Sequence, residues 1–395
     1  MAGGYDDHEG ADLFGDDDFF DAFGEDLLST LDLDTWSQGL DLASVMARFR
    51  KEIANAVDKE SVVRTIIRQQ VLPKISANSG GGAEEAGVYK ATPEELATVH
   101  QSLLFSGKVE AVNGISTSHE SLPLGITQIG IAAVSYGGTT GTFSQRLFRK
   151  EMSDQSADPV RDAIACINLR MERSASPRKE SLSKLARRGI RTYAERAVLV
   201  DKSEAEWRIG HGNPCAHELI TGSGYMSLLR ASLAVLRRLI QQHKKFVFVP
   251  SALEERGILT IGHALQAGEY IIFETLERFG KRVVEHWKYG DRSHRLAANF
   301  VRECCPDVIS GVFRASDRTP PRSFYAHREH VHLAARIAMA DSILRPERGF
   351  PMLLDVAEAS CRSAFGEDGF MGLVHDAYAQ AGANLQFFNE HTKRH

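Results

Sequence analysis

Three short apolar segments, separated by glycine-rich turns, constrain the fold of this 395-residue chain more than any other feature. The segments lie at 108–116, 126–136 and 142–149, and Gly137 and Gly138 separate the second from the third. Runs of this length bounded by glycine are typical of strands joined by hairpins. Helical and strand patterns alternate after them, which is the order of an α/β fold on a mixed sheet. We therefore expect one mixed sheet flanked by helices.

The spacing of apolar residues predicts the later elements as well. The pattern favours helices at 42–72, 177–202 and 226–243, and strands at 219–221, 246–250 and 308–315. Three further segments have weaker patterns. Residues 252–300 look largely helical, while 331–345 and 351–365 fit either strand or helix.

Composition divides the chain into four parts. Residues 1–40 form an acidic tail that we expect to be disordered, and residues 41–75 form one long helix. A linker and lead-in follow at 76–104, where SANSGGGAEEAG at 76–87 is the clearest linker sequence. The remaining 105–395 are expected to form the sheet domain.

The formal net charge of −5 conceals an uneven distribution of charge. Residues 1–34 contain twelve Asp and Glu and no Lys or Arg, so the rest of the chain has 47 basic and 40 acidic residues. A basic body leaves nucleic acid open as a partner. The tail also carries several phenylalanines, and it is interpreted either as a solubilising segment or as a short docking motif.

Cysteine usage and hydropathy indicate the compartment. The five cysteines include no CxxC motif, which is typical of a reducing environment. The N-terminus is acidic where a signal peptide would be basic and then apolar. No apolar run reaches the length of a membrane span, so we expect a cytoplasmic protein without a membrane partner. His211, Cys215 and His217 lie close together, but the second ligand pair of a zinc site is missing.

Four short strings in a fixed order resemble the NurA nuclease family. They are Val112–Ser116 (VNGIS) at the end of the first strand, Arg191–Glu195 (RTYAE) on a helix, Leu219–Gly224 (LITGSG) before a helix, and Gly349–Glu358 (GFPMLLDVAE). The resemblance covers roughly residues 105–385. It implies an RNase H-like mixed β-sheet core flanked by helices, here preceded by the acidic tail and the long helix.

The resemblance also implies a function and partners. NurA proteins work with HerA, a hexameric DNA-translocating ATPase, so the expected partners are DNA, a HerA-like ATPase and a second copy of the chain. The expected context is DNA end processing or defence against phage and plasmids. Family members cleave DNA with divalent ions held by carboxylates on adjacent strands, so an active member would use Mn²⁺ or Mg²⁺.

The family's catalytic positions are only partly kept in this chain. Asn113 and Thr221 stand where the family has aspartates, Glu358 stands at the late histidine position, and Glu195 alone is unchanged. These four residues are the candidate catalytic set. The candidate metal ligands are Glu195, Asp355 and Glu358, because Asp355 and Glu358 would share one helix face. Losing two carboxylates weakens a site for hard cations.

Three hypotheses follow from these departures. In the first, the chain is a NurA-like subunit with weak or lost nuclease activity. In the second, it is an active nuclease with a rearranged carboxylate set that adds Glu218 or Glu110, although Glu110 would lie on the opposite side of its strand from Asn113. In the third, the string matches are misplaced and the fold is another α/β DNA-processing domain.

Overall fold

The computed structural model of the chain describes residues 16–36, 42–75, 82–120, 124–150, 158, 160–161, 164, 176–251, 256–287 and 290–382. It divides into two compact units, residues 1–63 and residues 64–395. None of the described helices combines the length and the apolar composition that a membrane span requires.

The first unit contains short helices where the sequence predicted disorder. Helices α1 (Asp16–Phe23) and α2 (Leu27–Leu31) lie inside the acidic segment, and α3 (Leu42–Ile66) begins the predicted long helix. The Asp26 carboxylate accepts a hydrogen bond from Ser29 N at 2.9 Å, which caps α2. Residues 1–15 and 37–41 lie outside the described residues.

Within the described residues, the second unit contains all nine strands and ten of the thirteen α-helices. The strands are β1 (Gly82–Lys90), β2 (Val109–Glu120), β3 (Leu124–Ser135), β4 (Gly138–Lys150), β5 (Trp207–His211), β6 (Phe246–Val249), β7 (Glu269–Thr275), β8 (Val308–Phe313) and β9 (Arg322–His327). The α-helices are α4 (Pro93–Val99), α5 (Ser176–Asp201), α6 (His217–Thr221), α7 (Met226–Arg237), α8 (Arg256–Gly262), α9 (Glu277–Glu285), α10 (Asp291–Cys304), α11 (Val331–Ile343), α12 (Met352–Phe365) and α13 (Glu367–Gln380). Shorter π-helical and 3₁₀ segments extend or join them, at Ile67–Val71, Leu72–Lys74, His100–Leu104, Gly222–Gly224, Arg238–His243, Cys305–Asp307 and Arg328–His330.

The sheet confirms the predicted fold class. Its nine strands have the order β1-β7-β8-β9-β6-β5-β2-β3-β4. Within it, β2, β3 and β4 form two antiparallel hairpins, and β5 and β6 add in parallel beside β2. A five-stranded unit β4-β3-β2-β5-β6, in which β3 alone runs against the others, is the arrangement of an RNase H-like core.

Helices cover both faces of the sheet. On one face α11 and α12 pack against β2, β5 and β6 through residues such as Ala338 and Leu354. On the other face α5, α7 and α10 pack through residues such as Leu199, Leu236 and Phe300. The alternation of side chains along β2 therefore directs neighbouring residues to different helices.

The predicted linker at 76–87 is wrong in its second half. Residues 82–90 form β1, which pairs with β7 in antiparallel orientation. Several long-range contacts hold this edge strand; among them, Arg328 donates to Glu85 at 3.2 Å, and Tyr89 stacks on Tyr270. Residues 76–81 lie outside the described part of the chain.

The predicted strand at 219–221 is also wrong, because these residues end helix α6. Leu219 N bonds to Ala216 O at 2.9 Å, and Gly222 closes the helix in the left-handed conformation with a φ of 60°. The strand of this region is β5, twelve residues earlier. A short buried apolar run has no periodicity that separates a strand from a helix turn.

The segments with weaker patterns have definite structures. Residues 331–343 and 352–365 are helices, which settles the choice that the sequence left open. The largely helical segment 252–300 is wrong at 269–275, since these residues form the buried strand β7.

Candidate functional site

The candidate site lies where the parallel strands β2 and β5 part. The two strands pair only from Val109–Trp207 to Val112–Gly210. Beyond this point β2 continues as a hairpin with β3, whereas β5 ends at His211. A crevice at the carboxyl end of parallel strands, where the chain leaves in opposite directions, is the usual binding position in open α/β sheets.

A cavity with a volume of about 400 Å³ occupies this crevice. Strand β2, helix α5, the ends of β5 and β6, helix α12 and the start of α13 supply its walls. The lining residues are Asn113, Gly114, Ile115, Ser116, Thr117, Arg191, Glu195, His211, Ser251, Glu358, Arg362, Gly366 and Glu367. Three of the four candidate catalytic residues, Asn113, Glu195 and Glu358, therefore lie around one cavity.

Glu195 extends from α5 and forms a buried ion pair. Its Oε2 lies 2.5 Å from Arg196 Nη1, and its Oε1 lies 3.8 Å from Arg191 Nε. Burial raises the pKa of the Glu195 carboxyl, and the guanidinium groups of Arg196 and Arg191 oppose that shift. Arg196 stays protonated, so its charge favours the ionised form of the Glu195 carboxyl against the effect of burial.

Arg196 is held by the chain at the end of β5 and by β6. Its Nη2 donates to the carbonyl oxygens of His211 and Asn213, both at 2.8 Å. Its guanidinium also lies 5.0 Å from the ring centroid of Phe248 on β6. The side chain is 2% exposed, so this cation is a permanent part of the site.

Gly114 allows Glu195 to approach the strand. A Cβ at this position would lie 2.8 Å from Glu195 Oε1 and 2.6 Å from Ile131 Cδ1. Both distances are shorter than any ordinary carbon contact. The glycine of the VNGIS string therefore has a steric role beside the carboxylate.

His211 ends β5 and is neutral at pH 7. Burial, followed by the charges of Arg196 and Arg191, lowers the pKa of His211 to about 4. Its Nε2 lies 2.9 Å from Ser251 Oγ and accepts from Ser251 N at 3.3 Å. The ring accepts at Nε2 and therefore carries its proton on Nδ1.

Helix α12 brings Glu358 to the cavity but directs Asp355 elsewhere. The Glu358 carboxylate accepts from Arg362 Nη2 at 2.7 Å, one helical turn away. Asp355 is bound by Arg348 at 2.9 Å and Arg345 at 3.3 Å, and it does not line the cavity.

The remaining sequence candidates have local roles. Asn113 is buried, and its Oδ1 accepts from Gly114 N at 2.9 Å. Thr221 donates to His217 O at 2.8 Å inside α6 and does not line the cavity. Glu218 pairs with Arg188 at 3.0 Å, and Glu110 is also absent from the cavity wall.

The residues around the cavity do not fit a pair of divalent ions. Hard cations need several oxygen donors free to face one point. Here Glu195 and Glu358 each pair with an arginine, and the Asn113 oxygen accepts from the backbone. Among the described residues, no group of three or more His, Cys, Asp or Glu side chains could hold a metal ion.

Two important residues were missed by the sequence reasoning. The first is His211, which ends β5. The sequence placed the strand of this region at Leu219–Thr221 instead, and it suggested His211 only as a weak zinc candidate. Its signal was the sequence WRIGHGNP, a short apolar run stopped by Gly212, Asn213 and Pro214. The second is Arg196, whose burial no sequence pattern indicated, because arginine is seldom inside a protein.

Comparisons with known proteins give matches among solved structures alone. No family model matches the chain, and no curated protein matches it. The NurA nuclease from Sulfolobus solfataricus is 10% identical, with a TM-score of 0.47 and coverage of 89% of this chain and 100% of that chain. A NurA structure with manganese is also 10% identical, with a TM-score of 0.42 and coverage of 71% and 94%.

Endonuclease V structures also match. The enzyme from Ciona intestinalis, in complex with a 24mer DNA containing an inosine, is 12% identical, with a TM-score of 0.28 and coverage of 80% of this chain and 98% of that chain. The RNase H-like core is shown by the order and the directions of the strands, independently of these identities and TM-scores. The chain has an RNase H-like core, and the solved structures to which its fold is similar include NurA nucleases.

Proposed function

We propose that the chain is a NurA-like subunit that binds DNA and has weak or lost nuclease activity of its own. The observation that carries this proposal is the pairing of the cavity carboxylates with arginines. In particular, Arg196 is a fixed, buried cation beside Glu195, the one family carboxylate that the sequence keeps. A divalent ion at Glu195 would have to share that carboxylate with a guanidinium 2.5 Å away.

The charge around the cavity supports DNA as the ligand. Arg188 and Arg191 lie one turn apart on α5, and Arg362 extends from α12. The side chains of Arg188 and Arg362 are 65% and 70% exposed. Exposed guanidinium groups near one crevice are suited to contact successive phosphates of a nucleic acid backbone.

DNA binding is the first experiment. We expect the full chain to bind labelled single- or double-stranded DNA in EDTA, because the contacts come from arginines and need no metal. Three phosphate contacts predict a slope, in log affinity against log salt, of about −3 for double-stranded DNA and about −2 for single-stranded DNA. Absence of binding at low salt, or binding that disappears in EDTA, would contradict the proposal.

The proposed partners are a HerA-like hexameric ATPase and a second copy of this chain, in the cytoplasm. The support is the ordered set of NurA-like strings together with the RNase H-like strand order. Co-elution of the purified chain with such an ATPase from the same organism, in size-exclusion chromatography with mass measurement, tests both associations. A monomer that elutes apart from the ATPase would refute them.

A further inference from the structure

Helix α3 exposes apolar side chains along most of its length. Met46, Phe49, Ile53 and Val57 recur at intervals of three or four residues, so they lie on one face of the helix, and Val63 extends this face. We call these five residues the apolar stripe. Their side chains are between 45% and 62% exposed. No other part of the described chain therefore covers the stripe.

The apolar stripe is large enough for a specific contact between proteins. A half-exposed phenylalanine leaves about 100 Å² of its side chain uncovered. Five apolar side chains in this state leave about 500 Å² per copy, the size of a patch that is often functional on a monomer. Packed against an equal surface, the stripe would bury about 1,000 Å², from which size specific interfaces begin.

The charges beside the stripe are self-complementary when two copies of α3 run in opposite directions. Glu52 and Lys59 are seven residues apart and flank the stripe on the same side. In an antiparallel pair with the midpoints of the helices together, Glu52 of each copy lies beside Lys59 of the other. A two-fold axis then makes each favourable contact twice.

A parallel pair would bring like charges together instead. Glu60 interrupts the stripe, and in a parallel pair it would face Glu60 of the other copy, while Lys59 would approach Arg64. In the antiparallel pair Glu60 lies near Arg50 of the other copy. Charge complementarity of this kind sets the direction and register of a contact.

The antiparallel register also matches side-chain sizes. Ile53, the most exposed residue of the stripe, faces Ala56 of the other copy, and Met46 faces Val63. Large side chains opposite small ones can interdigitate, as they do in a well-packed core.

We propose that two copies of the chain associate through α3, with the apolar stripe of one copy packed against that of the other in antiparallel orientation. The inference rests on the proposed association with a second copy and names the surface that forms it. This surface lies outside residues 105–385, which carry the resemblance to NurA. The two helices would lie about 8–10 Å apart.

The mass of the full chain in solution, measured by sedimentation across micromolar concentrations, tests this surface. We expect a dimer for wild type and a dimer weakened about tenfold or more in Ile53→Glu, because the stripe would then bury an unpaired charge. Val62→Glu is the matched control and should dimerise like wild type. Val62 is 58% exposed against 62% for Ile53, but it lies about two and a half turns further along, on the opposite face.

Phe49→Glu repeats the test on the stripe if Ile53→Glu does not fold. Stripe variants that dimerise like wild type would overturn the proposal, although association with a second copy through another surface would stand. A wild-type monomer would refute both, while DNA binding in EDTA still tests the proposed function separately. If the stripe variants lose only a HerA-like ATPase, α3 docks that protein and does not bind a second copy.

Exchange of the flanking charges tests the antiparallel direction. Glu52→Lys and Lys59→Glu each place like charges side by side twice in the pair, so we expect each to weaken dimerisation about fivefold. The double variant restores the opposite charges and should dimerise like wild type. Absence of this rescue would contradict the antiparallel arrangement.

Discussion

Replacement of Arg196 with methionine is expected to lower the free energy of unfolding by about 3–5 kcal/mol. Methionine removes the 2.5 Å ion pair with Glu195 and the two hydrogen bonds to the carbonyl oxygens of His211 and Asn213. The Glu195 carboxylate then remains buried, and Arg191 Nε, 3.8 Å away, is its remaining ion-pair partner among the described residues. An uncompensated buried charge is among the few single changes with so large an effect.

Denaturant unfolding of three variants measures this effect. Arg230→Met, which removes an exposed arginine from α7, is expected to cost less than about 1 kcal/mol. The double variant Glu195→Gln with Arg196→Met removes the stranded charge, so we expect it to be more stable than Arg196→Met alone by about 2 kcal/mol. A loss below about 1 kcal/mol for Arg196→Met would mean that the buried pair does not hold the site together.

The second large effect is a pH dependence of stability that comes from Asp341 on α11. The side chain is fully buried, its Oδ2 accepts from Leu353 N at 2.9 Å, and its Oδ1 accepts from the Tyr136 hydroxyl. Burial raises the pKa of Asp341 from 3.8 to about 6, although both hydrogen bonds oppose the rise. The folded protein therefore holds this proton more tightly than the unfolded chain does.

The sign of the effect follows from proton linkage. Between about pH 4 and pH 6 the folded state binds more protons, so the contribution of Asp341 to stability is complete below pH 4 and is lost as the pH rises through 6. The loss is about 3 kcal/mol for a shift of this size.

Asp341→Asn isolates this contribution, because asparagine keeps an acceptor for Leu353 N and does not titrate. We expect the stability of the variant relative to wild type to improve by about 2 kcal/mol between pH 4 and pH 7 in denaturant unfolding. Asp291→Asn, at an exposed position in the first turn of α10, serves as control. A difference between variant and wild type that is constant with pH would show that Asp341 does not titrate in this range.

The core of the fold could be predicted from the sequence because local signals agree there. The glycine-bounded runs at 108–116, 126–136 and 142–149 became β2, β3 and β4. The RTYAE string placed Glu195 on a helix, and the segment of Glu358, which the sequence left open between strand and helix, is a helix as well. These two helices, α5 and α12, do bring both carboxylates to the cavity.

Other parts depend on contacts between distant segments, which no local pattern contains. The edge strand β1 has a Gly-rich and acidic sequence typical of a linker, yet Arg328 holds Glu85 from 243 positions away. Thr221 was placed on a strand because a buried triplet fits a strand and a helix turn equally. Asp355 and Glu358 share a helix, but Arg345 and Arg348 bind the first and leave only the second at the cavity.

A cleavage assay with the full chain, alone and with a HerA-like ATPase, tests directly whether the cavity supports nuclease activity. Labelled single- and double-stranded DNA is incubated with Mn²⁺ or Mg²⁺, with EDTA reactions and Glu195→Gln as controls. We expect DNA binding with little or no more product in either metal than in EDTA, and the same amount of product from wild type and Glu195→Gln. Abundant metal-dependent product from the wild type that disappears in Glu195→Gln would show instead an active centre at Glu195, and the proposed function would then be wrong.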